Sequence, residues 1–132
     1  MRGMNTPPLR VLVIDDIQDA ADSMKMLLEF EGFDTRAAYS GAAALDIAAT
    51  FRPDAIVCDI GMPKMDGHEV ARRLRSDAAF ATATLIALTG WGTPEEVRRT
   101  KESGFDFHLV KPVDSDALFA LLADITRADI SP

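Results

Sequence analysis

Short apolar runs recur along the chain, and between them apolar residues return every three or four positions. The runs are rich in β-branched residues and show no alternation, which is typical of parallel strands buried on both faces. The stretches between them have the spacing of amphipathic helices. The five predicted strands are Arg10–Ile14, Thr35–Tyr39, Ala55–Cys58, Thr84–Leu88 and Asp106–Val110, of which Thr35–Tyr39 has only a weak strand pattern.

Capping residues mark where several of the predicted helices begin or end. Ser40 precedes an alanine-rich stretch, and Asp66 is followed three residues later by Glu69. Thr93 precedes a proline at the first helical position, and Gly32 follows the first helical segment. Strands and helices alternate without repeats or an internal linker. This pattern predicts an α/β domain with a five-stranded parallel sheet, doubly wound by helices on both faces.

Composition and charge narrow the function classes. The chain has 132 residues, of which 48% are hydrophobic, and a formal net charge of −7. One domain accounts for this length. An acidic domain repels phosphate backbones, which argues against nucleic-acid binding. The longest apolar run, Ala117–Ala123, is far shorter than the about 20 residues that cross a bilayer, so no membrane span is expected.

The chain termini are predicted to lie outside the folded domain. Residues 1–8 lack the apolar stretch of a signal peptide and end in two prolines, so we expect a disordered lead-in there. Residues 9–127 are expected to form the domain and residues 128–132 a C-terminal tail. The single cysteine, Cys58, cannot form an internal disulfide. Together these features favour a cytoplasmic location.

Polar side chains with related chemistry follow four of the predicted strands. Asp15 and Asp16 follow the first strand, Asp59 the third, Thr89 the fourth and Lys111 the fifth. The carboxyl ends of parallel strands meet at one edge of the sheet, where such folds place their sites. Adjacent carboxylates repel one another unless a cation joins them. Mg²⁺ prefers oxygen ligands of this kind, so the pattern predicts a magnesium site.

The same residues suit phosphoryl transfer. One carboxylate could act as a nucleophile and form an acyl phosphate. Mg²⁺ and Lys111 would neutralise the phosphoryl oxygens, and Thr89 could donate a hydrogen bond to one of them. Taken singly, an Asp pair often caps a helix, a lone Asp often lies in a turn, and a Lys-Pro pair is usually exposed. Their joint occurrence at four strand ends favours the functional interpretation.

Four motifs around these residues give the chain a family resemblance. They are Val13-Ile-Asp-Asp16, Cys58-Asp-Ile-Gly-Met-Pro-Lys-Met-Asp-Gly67, Leu88-Thr-Gly90 and Leu109-Val-Lys-Pro-Val113. With them, residues 9–127 resemble a response-regulator receiver domain of the chemotaxis-regulator-like family of two-component systems. The resemblance implies a (βα)5 flavodoxin-like three-layer sandwich. It also implies a phosphorelay switch that is not an enzyme, beyond self-catalysed phosphorylation and slow autodephosphorylation.

The resemblance further implies a role for each residue of the site. Asp59 matches the phosphoacceptor, which receives its phosphoryl group from a histidine kinase or a phosphotransfer protein. Asp16 and Asp59 match direct Mg²⁺ ligands, and Asp15 would act largely through water. The backbone carbonyl of Gly61 matches the remaining protein ligand. His68, which lies nearby in the sequence, is not expected to bind the metal because Mg²⁺ prefers oxygen.

Signal output is also assigned by the resemblance. Thr89 matches the switch hydroxyl, Lys111 matches the ion-pairing lysine, and the Lys111–Pro112 bond is expected to be cis. Phosphorylation would change the surface of the fourth helix, fifth strand and fifth helix, which binds a downstream protein. That surface comprises about Pro94–Gly104, Phe105–Val110 and Ser115–Arg127. Both a monomer and a phosphorylation-dependent dimer agree with this scheme.

Three positions depart from the usual family pattern. His108 stands three residues before Lys111, where the family has Tyr or Phe. We expect it to pack inward in the phosphorylated state and to titrate near neutral pH, unless it is only a partly exposed strand residue. Gly61 has no side chain to orient water, and Trp91 is bulky and cannot act as a base. We therefore expect slow autodephosphorylation, although Trp91 could simply pack on the fourth helix.

Three alternatives stay open at this stage. A phosphatase of the haloacid-dehalogenase type also uses an aspartyl nucleophile, Mg²⁺, Thr or Ser, and Lys, but it needs a second aspartate where this chain has Gly61. A receiver that binds partners without phosphorylation would have lost a site residue, and all are present. The chain could also be a receiver cut from a longer hybrid histidine kinase instead of a stand-alone regulator.

Overall fold

Strands and helices alternate throughout the computed structural model, which describes residues 7–130 and the side chains as far as Ile125. The elements are β1 Arg10–Ile14, α1 Gln18–Phe30, β2 Asp34–Ala38, α2 Gly41–Phe51, β3 Ala55–Asp59, α3 Gly67–Arg75, β4 Thr84–Thr89, α4 Pro94–Ser103, β5 Phe107–Val110 and α5 Ser115–Ile130. A turn of 3₁₀ helix between α3 and β4, Ala78–Phe80, was not predicted. Most of the predicted lead-in, residues 1–8, and part of the predicted tail, residues 128–132, lie outside the described residues. None of the helices within residues 7–130 has the length and apolarity that a membrane crossing requires.

The strands form one sheet in the order β2-β1-β3-β4-β5, and every pairing is parallel. The chain runs from β1 outward to β2 and then returns to β3 on the other side of β1. The predicted doubly wound fold is therefore confirmed. This reversal of strand order opens a crevice at the carboxyl ends of β1 and β3.

The central strands bury both of their faces. In β1, Leu12 and Ile14 join an apolar core with residues of α2 and α3. Val11 and Val13 join a second core with residues of α1 and α5 on the opposite face. Because both faces are covered by helices, a polar side chain on these strands can reach water only at a strand end.

The predicted helix boundaries are set by local hydrogen bonds. Ser40, Asp66 and Thr93 each accept a hydrogen bond at the side chain from the backbone N–H three residues further on, which confirms them as N-caps. Gly32 follows α1 with a φ of 99°, a left-handed conformation that glycine adopts without steric strain. The helices thus begin close to the loops that carry the polar residues.

Candidate functional site

The loop after β1 holds two adjacent carboxylates in different environments. The backbone N–H of Asp15 donates to the Ala38 carbonyl at 3.1 Å, which continues the sheet by one residue. Its carboxylate accepts a hydrogen bond from the Ile17 N–H at 3.0 Å and is buried, with 6% of the residue exposed. Asp16 is exposed. The pair therefore presents one fixed and one solvent-facing carboxylate.

Asp59 ends β3, where it pairs with Leu88 of β4 and is 6% exposed. The first residue of α3, Gly67, lies so close that a Cβ atom there would be 2.6 Å from the Asp59 carbonyl oxygen. Only glycine allows this approach. Asp59 is thus held from behind by the start of α3, while its side chain faces the crevice at the strand ends.

Carboxylate oxygens of Asp15, Asp16 and Asp59 lie within 4.8 Å of one another. Burial raises the pKa of Asp15 above its ordinary value of 3.8, as do the charges of Asp59 and Asp16, whereas the Ile17 N–H and Lys111 oppose the rise. Like charges held this close are costly until a cation joins them. An all-oxygen set of carboxylates fits a hard divalent ion such as Mg²⁺ better than it fits softer metals.

Lys111 supplies a positive charge on the other side of Asp59. Its Nζ atom donates to Asp59 Oδ1 at 2.9 Å, and its backbone N–H donates to the Thr89 carbonyl at 2.7 Å. The Lys111–Pro112 peptide bond is cis. The lysine is therefore fixed by main-chain contacts with β4 as well as by its ion pair.

The buried hydroxyl of Thr89 faces two partners. It donates to the Trp91 carbonyl at 2.7 Å and lies 2.7 Å from His108 Nε2. Because the hydroxyl has one proton, His108 donates from Nε2–H while the hydroxyl is bonded to the carbonyl. His108 is half-buried in β5, as the alternative of a partly exposed strand residue has it, and its imidazole reaches the Thr89 hydroxyl. Inward packing of His108 in the phosphorylated state stays a prediction.

Trp91 and Gly61 are both exposed beside the site. The alternative that Trp91 packs on α4 is wrong, because 71% of the residue is exposed on a loop that holds its carbonyl toward Thr89 and leaves the indole outside. At Gly61, an added Cβ would meet no atom within 4 Å. The space at this position is therefore open to solvent.

Two polar residues near the site, His68 and Ser103, form a contact that was not predicted from the sequence. His68 of α3 is 3% exposed, and its Nδ1 lies 2.6 Å from the Ser103 Oγ of α4. His68 shares the buried face of α3 with Ala71 and Leu74, and this helical spacing was a usable signal of burial. No sequence signal identified Ser103, 35 residues away, as its partner.

Comparisons of the sequence with known proteins agree with this geometry. The chain matches the family described as "Response regulator receiver domain" over residues 11–123. It is 36% identical over 120 residues to response regulator MprA of Mycobacterium sp. (strain KMS), covering 91% of this chain and 51% of that protein. Response regulator MprA of Mycobacterium avium (strain 104) is 35% identical over 119 residues, with 90% and 51% covered. The chain thus spans about half the length of the curated relatives it matches.

Solved structures with the same fold include a chemotaxis protein and receiver domains of a response regulator and of a histidine kinase. The chemotaxis protein CheY4 of Vibrio cholerae superposes with a TM-score of 0.84 at 28% identity, covering 89% of this chain and 98% of that one. The receiver domain of the Francisella response regulator 1452 gives 0.84 at 30% identity, with 92% and 98% covered. The receiver domain of a signal transduction histidine kinase from Syntrophus aciditrophicus gives 0.84 at 28%, with 93% of each chain covered.

Proposed function

The chain belongs to the response regulator receiver domains of two-component systems, and on that premise we propose that Asp59 is its phosphoacceptor. One observation carries the proposal: a nearly buried carboxylate lies between the Lys111 ammonium at 2.9 Å and two further carboxylates within 4.8 Å. Phosphoryl transfer needs a positioned nucleophile and neutralisation of the phosphoryl charge, and these residues offer both.

In the proposed step, an Asp59 oxygen forms a bond to phosphorus as the P–N bond of a donor phosphohistidine breaks. The released imidazole keeps the electron pair and takes a proton. Lys111 stays beside the acceptor and balances negative charge on the phosphoryl oxygens. The site residues would do this without other protein catalysts, so the reaction is self-catalysed by the receiver once a phosphodonor is supplied.

The acidic residues are proposed to hold Mg²⁺. Asp16, Asp59 and the Gly61 carbonyl would bind it directly, and Asp15 would act through water. When bound, the ion would neutralise phosphoryl charge and orient the transferred group. The raised pKa of Asp15 supports this assignment, because a carboxylate that is costly to ionise alone gains most from a cation.

Thr89 and His108 are proposed to pass the signal on. The Thr89 hydroxyl would leave the Trp91 carbonyl and donate to a phosphoryl oxygen, and the β4–α4 loop and His108 would adjust with it. The resulting change would reach the surface of α4, β5 and α5, where Val97, Phe107 and Val110 are already exposed. A protein partner at that surface, a histidine kinase or phosphotransfer protein as donor, and a cytoplasmic location belong to the same proposal.

Intact-protein mass spectrometry after incubation with acetyl phosphate tests the proposal. We expect one added phosphoryl group in the wild type with Mg²⁺, and none with EDTA or in Asp59→Asn. Asp114→Asn, a carboxylate variant outside the site, is the matched control and should be modified like the wild type. Modification of Asp59→Asn at the wild-type rate would refute the assignment of Asp59.

A further inference from the structure

The last turn of helix α4 is more buried than its first turns. Its buried residues, Thr100 and Ser103, both lie in the last turn and a half, whereas Pro94, Glu95 and Val97 near its start are exposed. The chain then continues through Gly104 into Phe105, which is buried in the core. Among residues 94–99 only Glu96 is half-buried, so movement of the first turns of α4 would expose less buried surface than movement of the last turn.

Two hydrogen bonds join the C-terminal end of α4 to α3, one buried and one half-buried. The Ser103 hydroxyl donates to the Arg99 carbonyl at 2.8 Å, so its proton is already used and His68 donates to it from Nδ1–H. Seven residues further along α3, Arg75 Nε donates to the Gly104 carbonyl at 2.9 Å. Within the described residues, His68 Nε2 is buried with no hydrogen-bond partner. The contact of Nδ1 with Ser103 is therefore the single hydrogen bond that the imidazole forms there.

Both ends of α4 are connected to the proposed phosphorylation site. Its first turns follow the loop whose Trp91 carbonyl accepts the Thr89 hydrogen bond. Its last turn is bound to His68, and the preceding residue, Gly67, packs against the Asp59 carbonyl. The first connection is a single hydrogen bond that the proposed switch breaks, and the second is packing that the switch leaves in place.

We propose that α4 pivots about Ser103, which His68 fastens to α3, when the Thr89 hydroxyl leaves the Trp91 carbonyl. This inference rests on the proposed function of Asp59 and Thr89. The His68–Ser103 contact is the positioning element: it confines the response to the exposed first turns of α4. Without it, the same pull on the β4–α4 loop displaces the whole helix.

Hydrogen–deuterium exchange with and without acetyl phosphate and Mg²⁺ tests the pivot, after intact mass has confirmed phosphorylation. In the wild type we expect exchange to change in peptides covering residues 90–98 and to stay constant in those covering 99–105. In Ser103→Ala and in His68→Leu, phosphorylation should speed exchange of 99–105 by about tenfold or more, since loss of the contact permits local opening. Fluorescence of Trp91, the single tryptophan, should change in every variant.

Two further variants distinguish loss of the His68–Ser103 contact from a general loss of stability in α4. Thr100→Val removes a buried hydroxyl that bonds to Val97 of the same helix, and it should keep the wild-type pattern. His68→Asn retains an N–H donor near the Nδ1 position and should restore protection of 99–105. A change at 99–105 equal to that at 90–98 in the phosphorylated wild type overturns the pivot and leaves the proposed function standing. Absence of any phosphoryl group overturns both.

Discussion

At the residue scale, the carboxylate of Asp59 lies between charges of opposite sign. Lys111 holds one oxygen at 2.9 Å, while Asp15 and Asp16 bring negative charge within 4.8 Å on the other side. The lysine attracts the negative charge of Asp59, and the neighbouring carboxylates repel it. Two adjacent carboxylates therefore favour cation binding, but without a cation their repulsion lowers the stability of the fold.

Asp15→Asn should make the metal-free chain more stable. The amide oxygen can still accept the Ile17 N–H, and one buried negative charge is removed from beside Asp59 and Asp16. We expect a gain on the order of 1 kcal/mol in the free energy of unfolding at neutral pH with EDTA. Urea denaturation measures it. Millimolar Mg²⁺ should then stabilise the wild type more than the variant, which keeps the proposed direct ligands but lacks the Asp15 charge; a less stable variant in EDTA would contradict this account.

Gly61→Asn should speed loss of the phosphoryl group. The position is exposed, an added Cβ meets no atom within 4 Å, and its φ is not in the left-handed range. An amide there could orient a water toward the acyl phosphate, and we expect hydrolysis about 3- to 10-fold faster. The measurement is the decay of phosphorylated protein by intact mass. Gly61→Ala adds a Cβ without a polar group and should decay like the wild type; equal acceleration in both would rule out water orientation.

At the element scale, polar side chains decide how the helices are placed on the sheet. Arg75 at the end of α3 donates to the carbonyls of Phe80, Ala83 and Gly104 and forms an ion pair with Asp106 at 2.7 Å. One guanidinium thus joins the end of α3, the 3₁₀ turn, the approach to β4 and the end of α4. Five donors in a planar fork make arginine suited to such a junction.

Arg75→Met should destabilise the chain by about 2–4 kcal/mol, because it leaves several carbonyls and a carboxylate without their donor. Arg73→Met on the same helix is the matched control. Arg73 is exposed and, in the part of the chain that the structure describes, pairs with Glu69 alone, so its loss should cost about 1 kcal/mol or less. Urea denaturation of both variants gives the comparison. Equal losses would mean that the junction adds nothing beyond a surface charge.

The stability that His68 contributes should fall in acid, because protonation places a positive charge on its buried Nε2 while Nδ1–H still donates to Ser103. Burial lowers the pKa of His68 below its ordinary value of 6.5, Arg99 and Arg72 lower it further, and Asp66 and Glu96 act in the opposite direction. Glu102 also lines the small cavity beside the imidazole. Since the unfolded chain binds a proton at higher pH than the folded one, the stability due to neutral His68 is complete above about pH 6.5 and falls as the pH drops below it.

His68→Leu isolates this titration. The difference in unfolding free energy between wild type and variant should be constant above about pH 7 and should shift against the wild type as the pH falls toward 5. Urea denaturation across this range measures the difference, which cancels the titration of the acidic residues common to both proteins. Parallel curves down to pH 5 would show that His68 carries no proton-linked stability.

At the scale of the whole molecule, the sequence predicted the sheet, and the strand ends at which the candidate site residues lie, because both depend on patterns local in the chain. The central strands β1, β3 and β4 are mostly apolar, and all five observed strands differ from the predicted ones by about one residue at either end. Asp59 and Thr89 were expected just after their strands, and each proved to be the last residue of its strand. Short runs do not reveal the residue at which pairing stops.

Most contacts that were not predicted involve groups without a sequence signature. The Thr89 hydroxyl bonds to a main-chain carbonyl, and Arg75 bonds to four of them. Every residue has a carbonyl, so no pattern of side chains points to the one that is used. His68 and Ser103 are polar residues at positions that helical spacing assigns to the buried side, and their pairing depends on how α3 and α4 pack.

The spacing of the site along the chain ties its chemistry to the completeness of the fold. Lys111 and Asp59 are 52 residues apart and meet only when β3, β4 and β5 are aligned in register. The acidic pair enters from the other side of β3, through β1. A nascent or misassembled chain therefore presents scattered carboxylates and lacks the assembled site. Under the proposed function, only a correctly folded chain can accept a phosphoryl group, so misfolded copies would not be phosphorylated.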